Sequence, residues 1–311
     1  MKKQETLGNV LLLITSLIWG VAFVAQKQGM DYVGPFTFCG VRFLFSAVFV
    51  LMVALIRDLL VHKKILLFTA KKTDIKIAIL GGVLCGIALA IATMLQQYSL
   101  QETSAGKTGF ITALYIVLVP VFGLAIKKKV KIIEWISVGI AVLSLMLLCF
   151  KKEDIANNIY INKYDLILLL CACCFSMQIL LIDHFSKKFD CLWLSAIEFI
   201  TCAVIGLIAM FLFEKPNIND INNAIIPILY AGIASGGIAY TLQFIGQKYT
   251  KPVIASIIMS FEAVVSLIAA AIIIQERLEF QELIGCIFMF VAIMIPQLNL
   301  KNKKEGVCKK F

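Results

Sequence analysis

The sequence predicts an all-α, polytopic membrane helix bundle in which ten transmembrane helices form two inverted five-helix repeats. Three observations predict this fold. The chain of 311 residues is 61% hydrophobic and only 15% charged, whereas soluble proteins carry about 25% charged residues. Its apolar residues fall into ten runs, each about as long as the roughly 20 residues that a helix needs to cross a bilayer. The two halves of the chain also repeat polar residues at the same spacing.

The ten apolar runs predict the spanning segments. Helices are favoured over a barrel because the runs are continuous and do not alternate with polar residues, and lipid leaves no unpaired backbone group. The first run, Leu7 to Ala25, is longer than the 7–15 residues of a signal-peptide core, which predicts an uncleaved first helix. In order, the predicted segments cover residues 7–26, 35–56, 76–97, 104–126, 132–150, 164–182, 191–213, 223–244, 252–274 and 281–299.

Lysine and arginine residues predict the orientation of this bundle. With a cytoplasmic N-terminus, 21 of the 29 Lys and Arg residues lie in inner segments and seven lie in outer segments. This asymmetry follows the positive-inside rule. It predicts a multi-pass protein of the cell (plasma) membrane with cytoplasmic N- and C-termini. The net charge of +10 therefore reflects membrane topology, and nucleic acid is excluded as a partner.

The two halves of the chain match each other. Gly20 precedes Arg42 by 22 residues in the first half, and Ser176 precedes Glu198 by the same 22 residues in the second. The pair Leu95-Gln96 in segment three likewise matches Leu242-Gln243 in segment eight. Because five is an odd number, the second copy enters the membrane inverted, as in many secondary transporters. The predicted units are residues 1–150 and residues 151–311, the second ending in a short basic tail.

Four stretches of sequence match a known family pattern. They read SLIWGVAFVAQKQG, GPFTFCGVRFLFS, TSAGKTGFITALYIVLVP and TKPVIASIIMSFEAVVSLIAAAIIIQERL. In these stretches the chain resembles the drug/metabolite transporter superfamily, in its EamA-like ten-helix branch. The resemblance implies two inverted repeats and the export or exchange of small metabolites by alternating access. One departure is Ala263 after Glu262, where the family usually has proline, and it predicts the loss of a kink in segment nine.

Segment two carries a charged residue within an apolar run. Arg42 lies about eight residues into the segment, or roughly 12 Å along a helix. A charge at this depth costs at least about 2.5–3.5 kcal/mol and usually faces the bundle or a watery cavity. Arg42 either snorkels or pairs as part of helix packing, or lines an outer vestibule that attracts anionic or zwitterionic groups. A direct pair with Glu198 is not expected, because inversion places the two near opposite faces.

Glu262 is the other candidate of special interest. It lies about ten residues into segment nine, near the predicted midplane, without a lysine or arginine nearby in sequence. A carboxyl group in such a place can bind a substrate amine or carry a proton, and the alternative is a structural hydrogen bond. Glu262 and Glu198 are the candidates for proton coupling.

Further amides and aromatic rings near the segment ends complete the predicted substrate-binding site. Amide and phenol groups offer hydrogen bonds without a charge, although helix packing or interface anchoring also explains the aromatic residues. The full candidate set is Trp19, Arg42, Gln96, Gln97, Tyr115, Gln178, Tyr240, Gln243 and Glu262.

Motifs for cofactor, metal or enzyme chemistry are absent from the sequence. It holds no P-loop, no G-x-S-x-G and no H-E-x-x-H pattern. Cys171, Cys173 and Cys174 fall on several faces of a helix and lack a flanking histidine, so they indicate packing and not zinc binding. We therefore expect no cofactor, no metal and no catalytic residue.

Together these features favour a secondary active transporter, an exporter, of small metabolites such as amino acids or amphipathic compounds. The alternatives are a membrane-embedded lipid-handling protein or enzyme, and a channel. The predicted partners are a small-molecule substrate and the lipid bilayer, and both a monomer and a homodimer remain open. An inverted pair argues against a symmetric pore, and neither clustered histidines nor an acidic pair marks an enzyme site.

Overall fold

The computed structural model of the chain is a helix bundle, which confirms the predicted fold class. It describes residues 2–65, 67, 72–103, 105–149, 163–273 and 280–308, and none of these residues forms a strand. The predicted boundary between residues 150 and 151 lies outside the described residues.

The described residues of the first half form six α-helices of nine residues or more. A π-helical stretch, Asp58–His62, continues the second of them. The helices are α1 (Lys2–Gly29), α2 (Pro35–Arg57), α3 (Lys72–Leu100), α4 (Ala105–Ala113), α5 (Tyr115–Ala125) and α6 (Ile132–Cys149).

In the second half, the part of the chain that the structure describes forms eight α-helices and one longer π-helix, Tyr230–Tyr240, which lies between α10 and α11. The helices are α7 (Lys163–Phe185), α8 (Cys191–Phe213), α9 (Ile218–Asn223), α10 (Ile225–Leu229), α11 (Thr241–Tyr249), α12 (Pro252–Met259), α13 (Glu262–Ile273) and α14 (Phe280–Cys308).

These helices reproduce the predicted spanning segments to within a few residues. In the described part of the chain, nine continuous or jointed helical segments are long and apolar enough to cross a bilayer. The fifth predicted segment corresponds to a shorter apolar helix, residues 132–148 within α6. Large apolar side chains such as Phe211, Leu212 and Phe213 remain exposed on the outside of the bundle, as expected where the solvent is lipid.

The two halves meet along α2 and α8, whose backbones touch. A Cβ atom added at Gly40 would lie 2.9 Å from the carbonyl oxygen of Gly206, and one added at Gly206 would lie 2.8 Å from the Cα atom of Gly40. Only glycine permits this approach, which is a common device of membrane helices because close backbones gain van der Waals contact. A second contact joins α6 to α14, where Ser144 Oγ donates to the Gly285 carbonyl at 2.7 Å.

Polar contacts at both ends hold α2 against α8. At one end Asp190 caps the N-terminus of α8 by accepting from the backbone N–H groups of Leu192 and Trp193, and Arg57 binds this carboxylate at 2.8 Å. At the other end the Glu214 carboxylate accepts from the Phe36 N–H at 3.0 Å and the Thr37 N–H at 2.7 Å. Each helix therefore begins with its free N–H groups satisfied by a carboxylate.

We call the end of the bundle where α1 begins the lysine-rich face. Among the described residues, three of its ion pairs involve the buried carboxylates of Asp183 and Glu134, in addition to the Arg57–Asp190 pair described above. Lys128 and Lys187 both contact the buried carboxylate of Asp183, the second at 2.5 Å, and Lys251 lies 3.3 Å from the buried carboxylate of Glu134. Two of these pairs, Lys128–Asp183 and Lys251–Glu134, join the first half of the chain to the second.

Within the described ranges, two spanning segments are broken near their middle. The fourth segment breaks at Leu114 between α4 and α5, and the ninth breaks at Ser260 and Phe261 between α12 and α13. At both breaks the backbone tightens to bonds three residues apart, such as Val117 N–H to Leu114 O at 2.9 Å and Ala263 N–H to Ser260 O at 3.1 Å. Short stretches of this kind inside a helix often mark a hinge or a functional site.

The break in the ninth segment corrects the expectation drawn from Ala263. Replacing the usual proline with alanine predicts a segment without a kink, yet the helix is interrupted one residue before Glu262. Serine hydroxyls supply a reason, because Ser256 Oγ and Ser260 Oγ each donate to the carbonyl three residues earlier at 2.8 Å. Such bonds compete with the helical pattern and bend helices.

Candidate functional site

A polar cavity lies between the two halves of the bundle. Its volume is about 50 Å³, which is larger than the roughly 10–15 Å³ that one water molecule needs but far smaller than the roughly 300–1,000 Å³ of ligand pockets. Both halves contribute to its wall. The residues that line the cavity include Trp19, Phe23, Gln26, Arg42, Phe43, Thr93, Gln96, Thr112, Tyr115, Phe175, Gln178, Ser235, Tyr240, Gln243 and Glu262.

Tyr115 and Glu262 meet at this cavity, and each stands at the break of its segment. The Tyr115 hydroxyl donates to Glu262 Oε1 at 3.3 Å. The two residues occupy equivalent positions, since each lies 20 residues after the leucine of the matched Leu-Gln pair. Glu262 is also the first residue of α13, where the free N–H groups of a helix favour a negative charge. The two breaks thus bring one equivalent residue from each repeat into contact.

Arg42 lines the same cavity and is only 5% exposed. Its Nη1 donates to Gln26 Oε1 at 3.1 Å, and its Cζ lies 4.8 Å from the centre of the Phe43 ring. Among the described side chains no carboxylate oxygen lies within 4 Å of the guanidinium. Its Nε is buried without a hydrogen-bond partner in that part of the chain.

Gln178 connects the cavity to Glu198. Its Nε2 donates to Glu198 Oε1 at 3.0 Å, and its amide faces that of Gln243 at 3.3–3.4 Å. Glu198 itself is 0% exposed and is not part of the cavity wall, and its second oxygen has no hydrogen-bond partner among the described atoms. No ion pair joins Arg42 and Glu198. This agrees with the expectation that the two residues lie near opposite faces of the bundle, because each is close to the start of its helix and the helices are inverted.

Aromatic and amide groups complete the wall. The ring centres of Trp19 and Tyr240 lie 4.5 Å apart, and Trp19 Nε1 donates to the Ser235 carbonyl at 3.4 Å. Gln96 Nε2 donates to Thr112 Oγ1 at 3.3 Å. These contacts tie the side chains of the wall to one another across several helices, so that they keep fixed positions.

The structure thus gathers most of the predicted site residues. Eight of the nine predicted substrate-binding residues line the cavity, and Gln97 does not. Gln97 is buried elsewhere, beside Met30 and the carbonyl of Gln26, because one residue along a helix turns the side chain by 100° relative to Gln96.

Gln26 is one of the lining residues that sequence reasoning misses. It lies seven residues after Trp19, which places both on one face of α1 two helical turns apart. This spacing was the available signal for Gln26. The hydroxyl groups of Thr93, Thr112 and Ser235 carried no comparable signal, because such residues occur throughout the segments.

The fold and the duplicated, cavity-forming halves place this chain among the polytopic membrane transporters. More specifically, it belongs to the EamA-like transporter family, whose sequence model matches residues 6–150 and 162–296. The two matches are the two repeats, and the membership is consistent with the drug/metabolite transporter superfamily.

Known proteins agree with this membership. The chain is 27% identical to an uncharacterized transporter of Archaeoglobus fulgidus, over 93% of this chain and 85% of that protein. It is 25% identical to an uncharacterized transporter of Clostridium kluyveri, over 97% of this chain and 96% of that protein. One solved crystal structure shares the fold with a TM-score of 0.78 at 14% identity, over 95% of this chain and 98% of the other.

Proposed function

We propose that this protein is a secondary active transporter that exports small metabolites, such as amino acids or amphipathic compounds, by alternating access. The observation that carries the proposal is the polar cavity between the halves, with Glu262 and Tyr115 in its wall at the two helix breaks. Substrate sites of carriers built from inverted repeats lie near the midplane between the repeats and use discontinuous helices. The position of the cavity between the two halves, beside two broken segments, supports the proposal.

The small size of the cavity fits one stage of such a cycle. A volume of about 50 Å³ leaves no room for a metabolite of ten or more heavy atoms. Substrate binding therefore requires the lining helices to separate. The breaks at Leu114 and at Ser260–Phe261 are suitable hinges, since a few residues in the middle of each segment already depart from the α-helical pattern.

We place the lysine-rich face in the cytoplasm of the cell and the protein in the plasma membrane. The support is the distribution of Lys and Arg, 21 of which fall on this side of the predicted topology. Both chain termini then lie in the cytoplasm, and the repeats correspond to residues 1–150 and 151–311.

Coupling to protons is assigned to Glu262, with Glu198 as the second candidate. Glu262 has one donor, Tyr115, and no lysine or arginine nitrogen lies within 4 Å of it among the described residues. A carboxyl group that lines a cavity under these conditions can bind a proton on one side of the membrane and release it on the other.

The test is transport by the purified protein in liposomes. Labelled amino acids, nucleobases and cationic dyes are offered with and without unlabelled solute on the opposite side. Saturable flux that is stimulated by solute on the opposite side is expected of a carrier. Ohmic conductance would instead indicate a channel, and chemical conversion of a solute would indicate an enzyme.

Variants at the breaks sharpen this test. Glu262→Gln should abolish uptake driven by a pH gradient while counterflow persists, because the amide keeps the shape but binds no proton. Glu102→Gln, in the exposed turn after α3, is the matched control and should behave as wild type. Wild-type pH dependence in Glu262→Gln would remove the coupling role.

A further inference from the structure

We propose that a groove between α5 and α7 binds one anionic phospholipid of the surrounding bilayer, with an acyl chain in the groove and the phosphate at its lysine-rich end. The groove has a volume of about 550 Å³, which falls within the roughly 300–1,000 Å³ of ligand pockets. It shares no described lining residue with the central cavity. The inference therefore does not depend on the proposed transport function.

The walls of the groove are apolar. Phe122, Ala125 and Ile126 lie three and four residues apart at the end of α5, so they share one face. Met177 and Leu181, four residues apart, form the facing wall on α7. The Ile126 side chain is 55% exposed and that of Met177 is 48% exposed, so the groove opens to the outside of the bundle. A chain held on two sides gains more van der Waals contact than a chain on a single helix surface.

The groove changes from apolar to polar along the direction of the spanning helices. From Met177 to His184 the helix α7 rises by about 10 Å, at 1.5 Å per residue. His184 lines the groove at the lysine-rich face, and so does Lys128 from the loop after α5. A phospholipid that lies parallel to the helices presents its acyl chains and its phosphate in the same order. The groove therefore fits a lipid better than a wholly polar solute.

The polar end of the groove is positively charged. Lys128 and Lys187 contact the carboxylate of Asp183, whereas Lys188 Nζ lies 3.0 Å from His184 Nε2 and within 4 Å of no carboxylate oxygen among the described residues. Three lysines and one carboxylate leave an excess of two positive charges. Lys128 also keeps free donors, because an ammonium group has three. Basic pockets of this kind between membrane helices bind anionic head groups.

A lipid in this groove would contact both halves of the chain. The helix α5 belongs to the first half and α7 to the second. Lys128 would serve the phosphate and also Asp183, with which it forms one of the ion pairs that join the halves. We therefore expect the bound lipid to stabilise the association of the two halves.

The first experiment compares lipids on the wild-type protein. The purified full chain is delipidated in detergent and titrated with phosphatidylglycerol or with phosphatidylcholine of the same acyl chains. Thermal stability gives the apparent affinity, and native mass spectrometry counts the bound lipid. We expect saturable stabilisation by one phosphatidylglycerol, with an apparent affinity about tenfold or more above that of phosphatidylcholine, since each lysine near the head group is worth about fivefold.

Two results of this comparison would overturn the inference. One is an equal apparent affinity for phosphatidylglycerol and phosphatidylcholine, which would mean that charge plays no part. The other is equal stabilisation by glycerol 3-phosphate, which has no acyl chain. That result would indicate a site for soluble phosphate esters and not for a lipid.

Lysine variants locate the head group. Lys128→Gln and Lys188→Gln should each weaken the apparent affinity for phosphatidylglycerol by about fivefold. Lys251→Gln is the matched control, because it also removes an ion pair between the halves on the lysine-rich face but does not line the groove. Equal weakening in Lys251→Gln would mean diffuse attraction to the whole face and would overturn the inference. Lys188 is exposed, so its variant decides the question even where Lys128→Gln does not fold.

A second variant tests the acyl chain. Ala125→Trp places a large ring in the groove and should displace the lipid, with a loss of apparent affinity of about tenfold or more. Ile208→Trp on the exposed surface of α8 is the matched control and should bind as wild type, since Ile208 is 55% exposed and does not line the groove. Wild-type affinity in Ala125→Trp would show that the groove is not the site.

Discussion

Arg42 and Glu198 occupy equivalent positions in the two repeats and differ in both charge and access. Each follows its matching small residue by 22 positions. Each is bonded to one glutamine, Arg42 to Gln26 at 3.1 Å and Glu198 to Gln178 at 3.0 Å. Arg42 nevertheless lines the cavity, whereas Glu198 is 0% exposed and reaches the cavity only through its glutamine.

The comparison shows that the repeat determines the position of a buried polar group along its helix. It does not determine the charge of that group or its access to the cavity. A glutamine can serve either partner, because its amide oxygen accepts from a guanidinium and its amide N–H₂ donates to a carboxylate. The surrounding helices then decide access. The Glu198 backbone packs against Gly86 of α3, where an added Cβ would lie 2.6 Å from the Glu198 carbonyl oxygen.

The largest expected effect comes from the close backbone contact between α2 and α8, the two helices on which Arg42 and Glu198 lie. Gly206→Val should abolish or strongly reduce the yield of folded protein, since even the Cβ atom would lie 2.8 Å from the Cα of Gly40. Overpacking usually costs about 1–3 kcal/mol, and more where backbone must move. Yield and thermal stability in detergent measure the effect.

A matched control is Gly139→Ala in α6, where nothing lies within 4 Å of the added Cβ. Alanine there should be neutral or stabilise by up to about 1 kcal/mol through helix propensity. A Gly206→Val variant as stable as wild type would show that α2 and α8 do not touch in the membrane.

The next effect separates the two carboxyl groups that are candidates for carrying protons. Glu262→Gln should lower uptake driven by a pH gradient by about 100-fold or more, a loss of the size seen when a proton-transfer group is removed. Glu198→Gln should retain most of this uptake, because Glu198 is not in the cavity wall. Loss of gradient-driven uptake in Glu198→Gln alone would reverse the assignment.

A smaller effect distinguishes the two glutamine partners. Gln26→Leu leaves Arg42 without its amide acceptor and should cost about 1–3 kcal/mol of stability, the penalty for an unsatisfied buried group. Gln178→Leu should cost less, because a carboxyl group can take up a proton and a guanidinium cannot lose one. Chemical denaturation in mixed micelles compares the two, and a larger loss for Gln178→Leu would contradict this reasoning.

The smallest effect concerns charge at the surface of the bundle. The Lys251 side chain is 49% exposed, so Lys251→Gln should lower stability by about 1 kcal/mol or less, and added salt should reduce the difference. Thermal stability at low and high salt tests this. A loss that exceeded that of Gln26→Leu would mean that the ion pairs of the lysine-rich face outweigh the buried contacts.

The length of the apolar runs and the polar residues that interrupt them were enough to predict the fold class. The ten segments follow from where charges interrupt apolar runs, and the matched polar residues indicate the two repeats. The sequence named Arg42 and Glu262 as substrate-binding candidates, Arg42 at an outer vestibule and Glu262 near the midplane, and the structure places both in the wall of one cavity. Gln97 shows the limit of this approach. The sequence places it beside Gln96, and the face of α3 that points inward depends on packing that no single sequence shows.

The departures from regular α-helix also could not be predicted from the sequence. The π-helix Tyr230–Tyr240 replaces a regular stretch of the eighth segment, although its apolar pattern is continuous. Its Gly232 carbonyl accepts from Ser46 Oγ of α2 at 2.7 Å. A partner 186 residues away in sequence therefore stabilises the departure, and local propensity cannot report it.

Glu214 has a consequence for how the molecule is made. The first peptide groups of α2 are satisfied by a carboxylate that is synthesised about 180 residues later, at the end of α8. During biosynthesis the N–H groups of Phe36 and Thr37 therefore remain bound to water or lipid head groups until α8 has been synthesised and inserted. Neither half is complete by itself. A gene divided between the halves would encode two fragments, one without the Glu214 carboxylate and the other without the N–H groups that it binds.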